Sequence, residues 1–303
     1  MIYNKILITG GSGFLGRHVC QLLKSRGYFV TVVDKVPLRE KEVQFYSTEF
    51  SNQATMVPLL KQSDAVIHLA AMVGVDNCRL HPKEVMKINY TDSIKLIDTS
   101  IDCKVKKFVF SSSSEVYGNS REVPFREDSE LKPNSLYGKT KIMVEEYLKV
   151  VNRNNPEFHV GIVRLFNIYG PGQRGDFVIP KLIKLAQENR PITIYGDGKQ
   201  TRCFTFVKDA SEGLVKLLEY EDTSFETVNI GSIAQYTISD LAGKILELLS
   251  RSKSEIVYQP YGKKGVREEF LEIQKRIPAT GKSNRILGFE AKTRLDEGLK
   301  SMI

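Results

Sequence analysis

The stretch KILITGGSGFLGRHVCQLLKS, residues 5–25, decides the fold. A short apolar run, Lys5 to Thr9, reads as a buried strand. It enters a turn with glycines at positions 10, 13 and 16, and an amphipathic helix follows at once. Glycines at that spacing let the backbone turn tightly and approach a pyrophosphate, while the helix start offers free N–H groups and the positive end of its dipole. Gly10, Ser12, Gly13, Phe14, Leu15 and Gly16 are therefore candidate dinucleotide contacts. The second apolar run ends in VTVVD, which places Asp34 at the tip of the next strand. A carboxylate there accepts hydrogen bonds from ribose hydroxyls and repels a 2′-phosphate, so the expected cofactor is NAD, although Lys35 and Arg17 lie close by.

Working outward, strands are expected at Lys5–Thr9, Phe29–Val33, Ala65–Leu69, Lys107–Ser111 and Val160–Leu165. Helical patterns, among them Arg17–Ser25 and Ser135–Asn152, separate them. Alternation of this kind predicts an α/β fold, a Rossmann-like doubly wound parallel sheet. After Asn167 the pattern changes to turn signals and short strands, which predicts a smaller C-terminal substrate-binding α/β domain. The expected division is 1–169 for the dinucleotide domain, with return segments at about 203–231, and 170–303 mainly for the substrate domain.

Composition narrows the functional classes. The chain has 303 residues, of which 41% are hydrophobic and 26% charged, enough for one large unit or two joined domains. Cys20, Cys78, Cys103 and Cys203 form no metal-binding pattern, so no metal and reduced thiols are expected. The net charge of +8 is spread among acids without a basic block, which fits an anionic small molecule better than nucleic acid. Neither a leader nor a membrane span is recognised, and the expected location is cytoplasmic.

The pattern YGKTK places Tyr137 and Lys141 four residues apart on a helix, hence on one face. An ammonium beside a phenol stabilises the phenolate, so the tyrosine can serve as a base. The strand ending in SSSSEVYG brings Ser111 to Ser114 and Glu115 to a C-terminal sheet edge, where open α/β sheets bind ligands.

Together GGSGFLG, Asp34, HLAA (68–71), SSSSEVYG, YGKTK, RLFNIYGPG (164–172) and DGKQTRCFTFVKD (197–209) resemble the extended short-chain dehydrogenases, in particular the NAD-dependent nucleotide-sugar epimerase/dehydratase group. The resemblance implies that Ser113 hydrogen-bonds the sugar, Tyr137 is the C4-hydroxyl base and Lys141 its partner. It places Lys35, Glu49, Phe50, Leu69, Ala70, Ala71, Asn89, Ser111, Ser112, Tyr137, Lys141 and Phe166 against NAD. Val73, Asn167, Phe177, Val178, Ile179, Tyr195, Arg202 and Arg267 fall on the nucleoside-diphosphate sugar. His68 is read as structural. The implied chemistry oxidises the sugar at C4 to a ketone. Return of hydride to the other face makes a 4-epimerase, the reading placed first. A 4,6-dehydratase or uronate decarboxylase using Glu115 is the alternative, and a non-catalytic dinucleotide sensor is an alternative of another class. Relatives pair as homodimers through two helices, here near Asn89–Ser100 and Ser135–Asn152.

Overall fold

The structure, a computed structural model, describes residues 3–38, 43–120, 122–261 and 273–303. In the first half, strands β1 (Lys5–Thr9), β2 (Phe29–Asp34), β3 (Gln44–Ser47), β4 (Ala65–His68), β5 (Lys107–Ser113) and β6 (His159–Leu165) alternate with helices. These are α1 (Phe14–Ser25), α2 (Gln53–Leu60), α3 (Val75–Leu80), α4 (Pro82–Val85), a π-helical turn at Met86–Thr91, α5 (Asp92–Asp102) and α6 (Leu136–Asn154). The second half contains β7 (Ile168–Tyr169), α7 (Val178–Gln187), β8 (Ile192–Tyr195), β9 (Thr201–Cys203), β10 (Thr205–Phe206), α8 (Val207–Glu219) and β11 (Phe225–Ile230). It closes with β12 (Gln235–Thr237), α9 (Ile238–Leu248), β13 (Ile256–Gln259), β14 (Lys275–Arg276), α10 (Gly281–Leu287) and α11 (Leu295–Lys300).

Seven strands form one parallel sheet in the order β11-β6-β5-β4-β1-β2-β3. Strand order reverses between β1 and β4, which opens a crevice at their C-terminal ends. Helices cover both faces because the central strands are apolar on both sides: β4, for example, buries every residue. On one face α1 and α8 pack Val19, Leu23, Leu214 and Leu218 against Ile8, Val32 and Val109. On the other, α2, α5 and α6 pack Met56, Leu96, Val144 and Leu148 against Leu7, Val66, Phe108 and Phe110. Helix α1 buries Gly16, Val19, Cys20 and Leu23, the three- and four-residue spacing that makes one helical stripe.

A separate apolar cluster joins α7, β8, α9 and α11 through Leu182, Ile194, Leu241 and Leu299. Beside it the short sheet β12-β9-β14 aligns Tyr236, Arg202 and Arg276 in one register row. No helix among the described residues is long and apolar enough to cross a membrane.

Candidate active site

The glycine turn forms the first wall of the crevice. Gly10 has φ of +75°, and a Cβ on it would sit 2.6 Å from the Ala70 nitrogen. A Cβ on Gly16 would lie 2.3 Å from the Gly10 carbonyl, so the glycine lets helix and turn pack together. Asp34 Oδ2 accepts from the Ser12 N–H at 3.0 Å and Oδ1 from the Val36 N–H at 3.0 Å. The turn and the tip of β2 are thus held as one unit. Helix α1 starts at Gly13 with no side-chain cap and no acid in its first turn. The buried Ser12 hydroxyl has no hydrogen-bond partner among the described residues. Uncapped helix start, orphaned hydroxyl and Cβ-free turn fit a dinucleotide pyrophosphate.

The opposite wall is the segment after β4. Leu69 N–H donates to Thr9 O at 3.0 Å, and Ala70, Ala71 and Val73 are partly buried along it. Asn89 clamps this wall: Met72 N–H donates to its Oδ1 at 2.7 Å, and its Nδ2 donates to Met72 O at 2.9 Å. His68 is buried between Thr9 Oγ1 at 2.6 Å and Ser93 Oγ at 2.9 Å, and burial pushes its pKa down to about 3. Lys35 Nζ lies 2.7 Å from Glu49 Oε1, and this ammonium holds the Glu49 carboxyl below the usual carboxylate range.

At the C-terminal edge of β5, the Ser113 hydroxyl meets the Tyr137 hydroxyl and also accepts from Glu115 N–H at 3.2 Å. Helix α6 begins at Ser135, whose Oγ accepts from Gly138 N–H at 3.1 Å and donates to Glu115 Oε2 at 3.2 Å. The cap that starts the helix therefore also binds Glu115. Lys141 Nζ donates to Ser111 O at 2.6 Å and sits over the Tyr137 ring, 5.7 Å from its centroid.

Burial, then the Glu115 charge, raise the Tyr137 pKa above the ordinary phenol value, against the opposing pull of Ser113 and Arg276. The Lys141 ammonium points at a backbone carbonyl rather than at the phenol oxygen, and burial brings its own pKa down to about 8. Cys78, on α3, is the remaining ionisable neighbour of both groups, and burial pushes its thiol up to about 11.

Sequence reading missed Arg276. Its Nη2 donates to Glu115 Oε1 at 2.7 Å and its Nη1 to Asn167 Oδ1 at 3.2 Å, while its buried Nε has no partner among the described residues. No local spacing marks this residue; the register of β14 against β9 brings it to the site. Asn167 adopts φ of +36° and donates from Nδ2 to Cys203 O at 3.2 Å. Arg202, the register neighbour of Arg276, is buried and donates to Thr201 O at 2.9 Å.

Several of the expected contact residues have neighbours of their own. The Phe166 ring packs in a core with Val116, Tyr117 and Phe125, and Ile179 is buried in the C-terminal cluster. The Ser112 hydroxyl donates to Glu145, away from the crevice. Phe50 packs edge-on against His68 with centroids 5.0 Å apart. Phe177 lies under the Arg174 guanidinium, Val178 is exposed and Tyr195 lies near Lys181 Nζ at 5.6 Å. Arg267 lies outside the described residues. No group of three metal-capable side chains occurs among the described residues.

A family model, the NAD dependent epimerase/dehydratase family, matches residues 6–231. A UDP-N-acetyl-alpha-D-glucosaminuronate decarboxylase of Bacillus cytotoxicus is 34% identical over 99% of this chain and 96% of its own length. A UDP-glucuronate 4-epimerase of Thermodesulfobacterium geofontis is 30% identical over 98% and 94%. Among solved structures, MoeE5 in complex with UDP-glucuronic acid and NAD superposes with a TM-score of 0.90 at 30% identity, covering 99% of this chain and 97% of that one. With the glycine turn, the Ser113–Tyr137–Lys141 group and these similarities in agreement, the chain belongs to the NAD-dependent epimerase/dehydratase family.

Proposed function

We propose that this chain is an NAD-dependent enzyme that oxidises a nucleoside-diphosphate sugar at C4, that the sugar carries a C6 carboxylate, and that decarboxylation follows. The observation that carries the substrate class is the buried Arg276 guanidinium held between Glu115 and Asn167. Guanidinium is suited to a carboxylate because its planar fork donates two parallel hydrogen bonds.

Tyr137 removes the C4 hydroxyl proton while Ser113 orients that oxygen, and Lys141 stabilises the charge that develops. Bound NAD supplies the hydride acceptor for C4 and the hydride that later returns. A C4 ketone lies β to the C6 carboxylate, so the C5–C6 bond breaks, carbon dioxide leaves and its electron pair passes into the enolate. A second carboxylate beside Glu115 raises the proton affinity of Glu115. Glu115 then serves as the proton donor to C5.

The 4-epimerase reading, placed first on the sequence alone, becomes the second. It is favoured by the segment AAMVGVDN after β4, which resembles the epimerases. Mass spectrometry together with proton NMR of products from a panel of nucleoside-diphosphate uronates and hexoses separates the two. Loss of carbon dioxide supports the proposal, an isobaric epimer the second reading, and loss of water a dehydratase.

The proposed assembly is a homodimer through α5 and α6, supported by Met143 and Val150 exposed on α6 and by a Tyr147–Asp98 hydrogen bond joining the two helices. Sedimentation at several concentrations tests it. A cytoplasmic location is proposed from the four free cysteines and the use of NAD.

A further inference from the structure

Three consecutive serines of β5 contact three residues of α6 spaced by four. The Ser113 hydroxyl meets Tyr137, the Ser111 carbonyl accepts from Lys141 at 2.6 Å, and the Ser112 hydroxyl donates to Glu145 Oε1. Tyr137, Lys141 and Glu145 occupy one helical stripe, so the third contact extends the catalytic face by one turn. Arg164 on β6 is the register partner of Ser112 and grips the same carboxylate. Its Nη2 lies 2.6 Å from Glu145 Oε2, and its Nε lies 3.2 Å from both oxygens. The remaining guanidinium nitrogen donates to the Tyr117 hydroxyl at 2.9 Å and to Glu127 O at 2.8 Å. Both members of the ion pair are buried, at 6% and 5% side-chain exposure.

A buried ion pair is weak evidence of a stability role, because apolar residues of like volume in the same place are often as stable. What apolar residues lack is a fixed negative charge one turn from Lys141 and a polar peg between helix and strand edge. Lys141 is otherwise surrounded by His68 from β4, Cys78 from α3 and Tyr137 from its own helix, while Glu115 and Arg276 face the Tyr137 hydroxyl. Burial draws Lys141 toward the neutral amine, and the Glu145 charge is the largest opposing effect.

We infer that Glu145, held by Arg164 and Ser112, is a positioning residue that keeps the Lys141 ammonium charged and sets α6 against β5 so that Tyr137 meets Ser113. This rests on the catalytic reading of Tyr137 and Lys141 above.

The test reads Lys141 directly, by 15N-lysine side-chain NMR of the full chain with the signal assigned through Lys141→Met. In Glu145→Gln the Lys141 titration midpoint moves toward acid by roughly one pH unit, and the alkaline limb of kcat/KM moves with it. Should that variant fail to fold around an unpaired Arg164, the double variant Glu145→Gln with Arg164→Met removes both charges and keeps the direction of the shift. Ser112→Ala leaves both charges in place; its midpoint stays, while kcat falls about tenfold at constant KM, the effect of one weakened hydrogen-bonded contact. An unmoved midpoint in the charge variants overturns the charge role, and full kcat in Ser112→Ala overturns the positioning role. A wild-type chain inactive on every sugar in the panel would overturn the proposed function while the NMR midpoint still decided the charge role.

Discussion

Arg276 and Glu115 stand 161 residues apart in the chain and meet at 2.7 Å between Nη2 and Oε1. Both are buried, at 9% and 8% side-chain exposure, and Ser135 supplies the carboxylate with its second hydrogen bond. The pair is neutral as a unit, so an incoming anion must share the guanidinium with Glu115.

That sharing predicts a substrate-dependent effect. Arg276→Met raises KM for a nucleoside-diphosphate uronate by about ten- to a hundredfold, the worth of a hydrogen bond to a charged group. KM for the corresponding hexose changes little. Steady-state kinetics with matched substrates check this; equal effects on both would remove Arg276 from carboxylate recognition.

Tyr137→Phe removes the proton acceptor and leaves the glycine turn untouched. Turnover falls by about 10² to 10⁴, whereas NAD affinity, followed by titration calorimetry, stays within about twofold because the turn and Asp34 are unaltered. A variant that keeps its rate would exclude the phenol as base.

Asn89→Ala withdraws both bonds from the Met72 peptide and leaves its N–H unpaired beside the crevice. Stability falls by about 2 kcal/mol, read as a lower denaturant midpoint, and NAD binding weakens as the wall after β4 loosens. Unchanged NAD binding at lowered stability would confine Asn89 to a packing role.

His68 makes acid stability testable. Its folded pKa of about 3 lies below the ordinary value of 6.5, so the unfolded chain binds the extra proton between those limits. This contribution is fully present above pH 6.5 and is lost as pH falls toward 3, at up to about 1.4 kcal/mol per pH unit. His68→Asn flattens that window in urea melts at stepped pH; an identical pH profile would show that the imidazole does not titrate on unfolding.

The sheet was legible in the sequence where burial is two-sided. The run Lys5–Thr9 coincides with β1, and Phe29–Val33 falls one residue short of β2. Strand β3, QFYS, escaped because it lies at the sheet edge with every residue at least partly exposed, leaving no apolar run to read. The site was legible where spacing alone sets neighbours, as for Tyr137 and Lys141 on one helix. Helical spacing says nothing about where a flexible ammonium points, so the hydrogen bond from Lys141 to the Ser111 carbonyl carried no signal in it. Phe166 and Ile179 lie within segments that resemble binding motifs, but a single step along the chain decides between crevice and core. Strand alternation does offer a signal for Ser112: with Ser111 and Ser113 at the site, the residue between them must face the other way. Arg276 had none, since its place depends on β14 lying against β9, more than seventy residues earlier.

The row formed by Ser112, Arg164 and Asn229 crosses β5, β6 and β11 in one register. A one-residue slip of β6 would turn Arg164 toward the opposite, hydrocarbon layer and leave Glu145 facing Leu165 or Val163, which cannot neutralise it. Parallel strands with apolar residues on both faces have little else to tell correct from shifted pairing. The polar row therefore acts as a proofreading mark for assembly: only the native alignment satisfies all three residues at once, and misaligned sheets are penalised before any ligand is present.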